Sequence, residues 1–341
     1  MILVTGATGF LGQHLLLHLL CDAANSENIV AVYRSEHSKI RVLRFFELSA
    51  KANLYQNIVW KQADILDIPS LETVFKNIKK VYHCAAMVSF NPSDEALLRK
   101  INIEATANVV NLCLDFGVKK LCFVSSIAAL GDLLPHETII SEKTEWNPEL
   151  NHSDYAISKF GAEMEVWRAQ QEGLNIIIVN PGVILGATTP DEWAAGSCKI
   201  FETVANGLPC YTTGSTGFVS ATDVVKIMIN LMDSDIVNKK FILISENWSY
   251  KQLTFEIAKS LNIHPPKYHL RKWQTNILWF FDWIAGNIFI QKRKLSKSMA
   301  TSLHSQDFYN NSKIKKTLNF EFEPLQKTVQ SVAKSYLAKD F

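Results

Sequence analysis

The chain of 341 residues carries almost no net charge, +2 at neutral pH, so it lacks the simplest sign of nucleic acid or an acidic protein as its main ligand. Its six cysteines, Cys21, Cys84, Cys113, Cys122, Cys198 and Cys210, form no C-x-x-C pair and no zinc spacing, which excludes the usual metal and redox motifs. Several of them lie inside apolar runs, where free thiols pack as small hydrophobes, and a reducing cytoplasm is their natural compartment. No internal repeat or low-complexity tract is visible. The apolar N-terminus has no basic flank and reads as mature structure, not as a signal peptide. An uninterrupted apolar span of about 18 residues, needed to cross a membrane, is also missing, because Asp282, Gly286 and Asn287 interrupt the richest stretch, Trp273 to Ile290.

What the chain does have starts at its second residue. Ile2-Leu3-Val4-Thr5 is a short apolar run, Gly6-Ala7-Thr8-Gly9-Phe10-Leu11-Gly12 is a glycine-spaced turn, and Gln13 to Leu20 is an apolar-faced helical stretch. That order sets backbone N–H groups and a helix N-terminus at the end of a buried strand, a place for phosphate. Gly6 would allow the tight turn, Gly9 the approach of a pyrophosphate, and Gly12 close packing of helix on strand. The spacing is G-x-x-G-x-x-G, a departure from G-x-G-x-x-G.

Further along, Asn28 to Tyr33 reads as a second strand ending at Arg34-Ser35, where a dinucleotide fold meets the adenosine ribose. An acid there binds the free hydroxyls of NAD, whereas an arginine offers a fork to a 2′-phosphate, so NADP(H) is favoured and NAD(H) is the alternative. Lys39 and Arg41 are expected to add charge to the same neighbourhood. A helix is read over 37 to 51 and a third strand over Ile58 to Gln62. Asp64, just past that strand, would accept from the adenine amino group or cap a helix before Pro69. The fourth strand runs into Ala85-Ala86, small enough for a ligand to lie against the backbone, and His83 within it is read as structural. One long helix is expected over Glu95 to Phe116, with Asn102 holding backbone near the site. The fifth strand delivers Ser125-Ser126 to the same sheet edge. Tyr155 and Lys159, four residues apart, share one helical face, so an ammonium is expected to lower the pKa of a phenol. Asn180-Pro181-Gly182-Val183 follows the sixth strand at that edge.

Taken together, Thr5 to Gly12, Asp64, His83 to Ala86, Ser125-Ser126, Tyr155 with Lys159, and Asn180-Pro181-Gly182 resemble the short-chain dehydrogenase/reductase superfamily. The likeness is to its extended branch of NAD(P)-dependent epimerase and dehydratase proteins, and Arg34 makes it look closest to the dihydroflavonol reductase and 3β-hydroxysteroid dehydrogenase group. It covers roughly residues 1 to 250. The resemblance implies an α/β fold: a doubly wound, mostly parallel Rossmann sheet of seven strands with a smaller C-terminal α/β substrate domain. The dinucleotide domain would comprise 1–186 plus about 218–245, and a discontinuous cap about 187–217 plus 246–341. It also implies that Tyr155 is the acid/base on the substrate oxygen, that Lys159 tunes it and binds ribose, and that Ser126 bonds the reacting oxygen. Cofactor contacts would come from Thr5, Gly6, Thr8, Gly9, Phe10, Leu11, Gly12, Arg34, Asp64, Ile65, Ala85, Ala86, Ser125, Tyr155, Lys159, Pro181, Gly182 and Val183. A homodimer through the helices around 93–117 and 153–172 is the family's common arrangement. Ser220-Ala221-Thr222 replaces the acidic and arginine residues that many members place before the aspartate, here Asp223, which weakens substrate inference from that segment.

Three functions follow as expectations. The first is an NADP(H)-dependent oxidoreductase acting on the ketone or secondary alcohol of a small apolar molecule. The second is a sugar-nucleotide epimerase or dehydratase, and the third a dinucleotide-binding protein without chemistry. The cap has no arginine between 187 and 270 to meet a diphosphate, which favours the first. The stretch 273–294 offers more apolar surface than one core contact needs, ending in Lys292-Arg293-Lys294. It reads as a buried helix, a peripheral membrane contact or a lid over an apolar substrate, and the lid is favoured.

Overall fold

A computed structural model describes residues 1–22, 27–289 and 296–338, with backbone alone over 284–289. In chain order the described strands are β1 (Ile2–Thr5), β2 (Ile29–Tyr33), β3 (Ile58–Gln62), β4 (Lys80–His83), β5 (Lys120–Val124), β6 (Ile176–Pro181), β7 (Val183–Leu185), β8 (Cys210–Tyr211), β9 (Ser215–Ser220), β10 (Lys239–Leu243), β11 (Glu246–Ser249) and β12 (Tyr268–His269). Seven of them form one sheet in the order β10-β6-β5-β4-β1-β2-β3, and every neighbouring pair is parallel. Parallel strands must be joined by crossovers, which place helices on both faces. The strands accordingly read as unbroken apolar runs, such as Ile-Ile-Ile-Val in β6, buried throughout.

Each face has its own core. On one side the Phe10–Cys21 helix and the Ala221–Asp233 helix pack Leu15, Leu16, Val224 and Met228 against Val4, Ala31 and Val179. On the other, the Ala105–Asp115 and Asp154–Gln171 helices bring Val109, Val110, Ala162 and Val166 onto Leu3, Leu121 and Ile178. A third core gathers Trp193, Phe201, Phe218, Leu253, Ile257, Val329 and Tyr336 beneath a three-stranded sheet ordered β11-β9-β7. The order 3-2-1-4 reverses direction between β1 and β4, which puts the crevice of a doubly wound sheet at their C-terminal ends.

Some local expectations change. The helix read over 37–51 is Glu36–Leu48, and Ala50 beyond it has a positive φ of 54° that no helix continues through. The single helix expected over Glu95 to Phe116 is interrupted by a π-helical turn, Arg99–Glu104, between Glu95–Leu98 and Ala105–Asp115. Lys292, Arg293 and Lys294 lie outside the described residues. All six cysteines are free.

Candidate active site

The glycine turn follows β1 at this reversal. Gly6 has φ +66°, and a Cβ there would stand 2.4 Å from the Ala85 backbone nitrogen, so the turns after β1 and β4 touch. A Cβ on Gly12 would stand 2.1 Å from the Gly6 carbonyl oxygen, which is why the helix can pack this close only with glycine. Gly9 is the N-cap, and no side chain caps the helix. The first-turn N–H groups are therefore left for an anion. Thr5, expected at the cofactor, is buried and its hydroxyl meets His83 Nδ1 at 2.6 Å. His83 Nε2 lies 3.0 Å from the Thr106 hydroxyl, which itself donates to the Asn102 carbonyl. That chain of donors leaves the proton on Nε2 and a neutral ring. Burial pushes the His83 pKa down to about 3, in keeping with its structural reading.

Arg34, at the end of β2, is exposed and its backbone carbonyl accepts from Gln62 on β3. Lys39 stays in this neighbourhood, 4.9 Å from the centre of the Tyr33 ring, and pairs there with Glu36 at 2.7 Å. Arg41 reaches across to Glu192 at 3.1 Å. A carboxylate thus partners each of these two cations. Asp64 Oδ1 accepts from the Leu66 backbone nitrogen at 2.9 Å, an Asx turn of its own loop, and the Ile65 carbonyl accepts from Asn108.

The tyrosine helix, Asp154–Gln171, starts at Ser153, whose side chain accepts from the Ala156 nitrogen. It presents Tyr155, Ser158, Lys159 and Glu163 toward the ends of β5 and β6. Burial holds the Tyr155 phenol above its usual pKa, and the neighbouring Ser126 side chain acts in the opposite, lowering direction. The expected lowering of that pKa by Lys159 is not realised in this arrangement. Lys159 Nζ donates to the Val124 carbonyl at 2.8 Å and sits 4.7 Å from the centre of the Phe123 ring. Its own pKa is brought down to about 8 by burial, with the Glu163 carboxylate acting against that fall.

Glu163 was not among the residues read as functional. It is fully buried, and its carboxylate accepts from Ser125 Oγ at 2.9 Å, from Asn180 Nδ2 at 3.0 Å and from Lys240 Nζ at 3.4 Å. Asn180 Nδ2 also donates to the Ser126 carbonyl. One carboxylate thus ties β5, β6 and β10 together beneath Ser126. The signal was present, since position 163 lies one turn beyond Lys159 on the same face. Phe90, also unforeseen, sets its ring edge-on to Tyr155 at 5.6 Å, with Val88 exposed on the same loop. Asn102 anchors that loop: its amide exchanges two hydrogen bonds with Met87 and donates a third to Ser158 on the tyrosine helix. Pro181 ends β6, and Gly182 donates its N–H to the Leu243 carbonyl at the same edge.

Where the lid was expected, a helix runs over Lys272–Phe289. Most of its described apolar side chains do not turn inward: Trp273, Ile277, Leu278, Phe280, Phe281 and Trp283 are all exposed. Among the described side chains, Gln274, Thr275, Trp279 and Asp282 are the ones more sheltered by the protein, and Thr275 bonds His304 at 2.7 Å.

An NAD-binding family model described as male sterility protein matches residues 4–241. Sterol demethylase protein B of Methylococcus capsulatus is 26% identical over 267 residues, covering 77% of this chain and 75% of that protein. UDP-glucose 4-epimerase of Vibrio cholerae is 26% identical over 301 residues, 84% of this chain and 82% of its own. Among solved structures, the UDP-glucose 4-epimerase of Thermotoga maritima with UDP-glucose matches 100% of this chain and 99% of its own with a TM-score of 0.78; at 18% identity this is a likeness of fold.

Proposed function

Because the chain belongs to the NAD-binding male sterility protein family, an extended short-chain dehydrogenase/reductase and so an NAD(P)-dependent enzyme, we propose that it reduces or oxidises a small apolar substrate with NADP(H). In this reading residues 1–186 with about 218–245 hold the dinucleotide, and about 187–217 with 246–341 shape the substrate side. The residues present suit such a cofactor, since the close approach at Gly6 and Gly12 and the uncapped helix leave backbone N–H groups free at the sheet's reversal. Thr8, Gly9, Phe10, Leu11 and Gly12 would hold the pyrophosphate. Arg34 would hold the 2′-phosphate; among the described residues its guanidinium has no acidic partner to compete.

Hydride chemistry would be supplied by the nicotinamide when bound. Everything else falls to this chain. Tyr155 donates a proton to the substrate oxygen in reduction and takes it back in oxidation, and Ser126 holds that oxygen by a hydrogen bond. A partly buried phenol with a raised pKa stays protonated at neutral pH and so carries the proton to be given; being a weaker acid for that shift, it depends on its position beside Ser126. Lys159 is held near the tyrosine by the Val124 carbonyl and kept charged by Glu163. Phe90 and Val88 present apolar surface next to the phenol and help keep water out.

The observation that carries the reading is Tyr155 beside Ser126 with Phe90 edge-on against its ring, an acid and a hydroxyl next to an apolar wall. The lack of arginine from 187 to 270 argues in the same direction. Tyr155→Phe should lower turnover of an apolar ketone about a hundredfold or more while NADPH still titrates normally. Near-normal turnover would move the acid role elsewhere. The similarity to UDP-glucose 4-epimerase over 84% of the chain supports a second reading. Retained NAD in the purified protein and epimerisation of a nucleotide sugar without added cofactor would select it. The dimer reading rests on the 105–115 and 154–171 helices, which pack together on one sheet face.

A further inference from the structure

Over its described side chains, 272–283, the Lys272–Phe289 helix turns most of its apolar surface outward. Thr275, Trp279 and Asp282, at i, i+4 and i+7, form the stripe toward the protein, and the hydroxyl of Thr275 bonds His304. Trp273 and Phe281 stand 59% and 62% exposed, with Ile277, Leu278, Phe280 and Trp283 on the same outer arc. A surface helix ordinarily does the opposite. Contiguous exposed apolar surface of this kind marks a binding face.

Charge says which kind. Between Ile257 and Gln306 the sequence holds Lys259, Lys267, Arg271, Lys272, Lys292, Arg293, Lys294 and Lys297 against a single acid, Asp282, in a chain whose net charge is only +2. Lys267 and Arg271 are exposed just before the helix and Lys272 at its first position. Lys297, on the neighbouring Lys297–Ser302 helix, lies 6.0 Å over the Trp279 ring. Asp282 sits on the inward stripe and is engaged there. The outer arc is thus aromatic and aliphatic, flanked by cations and free of carboxylates.

We propose that this helix docks the protein on an anionic lipid bilayer, lying in the headgroup plane with Trp273, Phe280, Phe281 and Trp283 in the acyl boundary. An amphipathic helix with aromatic side chains and flanking cations is suited to that position. No described helix is long and apolar enough to cross a membrane, so the helix rests on the surface. A second copy of the chain is a poorer occupant, because a two-fold contact through this arc would bring like cations together. A lid would turn these side chains toward Tyr155, and they face away from the protein.

The test is flotation of the full chain with phosphatidylcholine vesicles, with and without phosphatidylserine. Binding to the anionic vesicles should exceed binding to neutral ones by about tenfold or more, given three exposed cations beside the helix, and should weaken with added salt. The paired change Phe280→Ser and Phe281→Ser should abolish it without shifting the melting temperature, since both side chains are exposed. Arg271→Glu with Lys272→Glu should remove the preference for anionic vesicles. Absence of flotation, flotation unaffected by either pair, or conversion of a dimer to a monomer by the serine pair without vesicle binding would each overturn the proposal. So would a serine pair that raises KM for substrate and leaves vesicle binding intact, because that is the behaviour of a lid.

Discussion

At the scale of single residues, the site is governed by a buried ammonium and the carboxylate one turn behind it. Lys159 has a pKa lowered to about 8 by burial, and Glu163 opposes that fall. If Lys159 works as a cation, activity declines as pH rises through about 8. Removing the opposing charge in Glu163→Gln lets the pKa drop further, so that alkaline limb should move to lower pH; a kcat/KM profile on both proteins checks the direction. In the proposed reading Arg34 is the residue that decides the cofactor, since Lys39 and Arg41 are paired with acids. Arg34→Ala should weaken NADPH binding by about 1.5–3 kcal/mol, the cost of a lost charged hydrogen bond, and leave NADH almost unchanged in a fluorescence titration. The residue types and their order were legible in the sequence: Gly6, Ser126, Tyr155, Lys159 and Arg34 all lie at the C-terminal edge of the sheet. What could not be read was which cation finds which acid. Arg41 and Glu192 are 151 positions apart, and only the packing of the second helix against the start of the third core joins them.

At the scale of elements, the π-helical turn at Arg99–Glu104 is the most consequential departure from pattern. It widens one turn at the place where Asn102 must face both the loop after β4 and the tyrosine helix. Such turns recur at functional sites because they reorient one side chain without ending the helix. The periodicity of 95–116 gave no warning, since a single wide turn barely perturbs a 3.6-residue pattern. Asn102→Ala strips two Met87 backbone groups and Ser158 of their partner. It should destabilise the fold by about 1–3 kcal/mol and lower kcat more than it raises KM for cofactor, as the Phe90 loop and Tyr155 lose their shared anchor. Urea melts and steady-state kinetics on one preparation separate the two effects. The first turn, by contrast, was legible in part: Gly12 is demanded by the Gly6 carbonyl within the same turn, whereas Gly6 is demanded by its positive φ and by the Ala85 backbone, a contact no local pattern announces.

At the scale of the whole molecule, the strands were legible as apolar runs between helical stretches and the parallel sheet as what the family resemblance implies, whereas the third core, assembled from positions 185 to 336, leaves no local signature. Acid sensitivity is a property of the whole. His14 and His83 are both buried, with pKa values pushed down to about 4 and about 3 from 6.5. Below about pH 6.5 the unfolded chain binds protons that the native protein refuses, so stability falls as pH drops toward these values. Urea midpoints should decline from pH 6.5 to 4, and less steeply in His83→Gln; a flat profile would argue that neither ring is neutral by burial. The all-parallel sheet has a kinetic consequence too. β6 gains its outer neighbour only when β10 returns from an excursion through β7, β8 and β9. A chain emerging from the ribosome therefore displays β6, six apolar-rich residues long, as an unpaired edge until residue 243 has been made. Late closure of so distant a pair slows folding, and in the interval that strand is the likeness of an aggregation template. Chains released after residues between 186 and 238 should therefore aggregate faster than the full chain, which closes both the β6 edge and the third core.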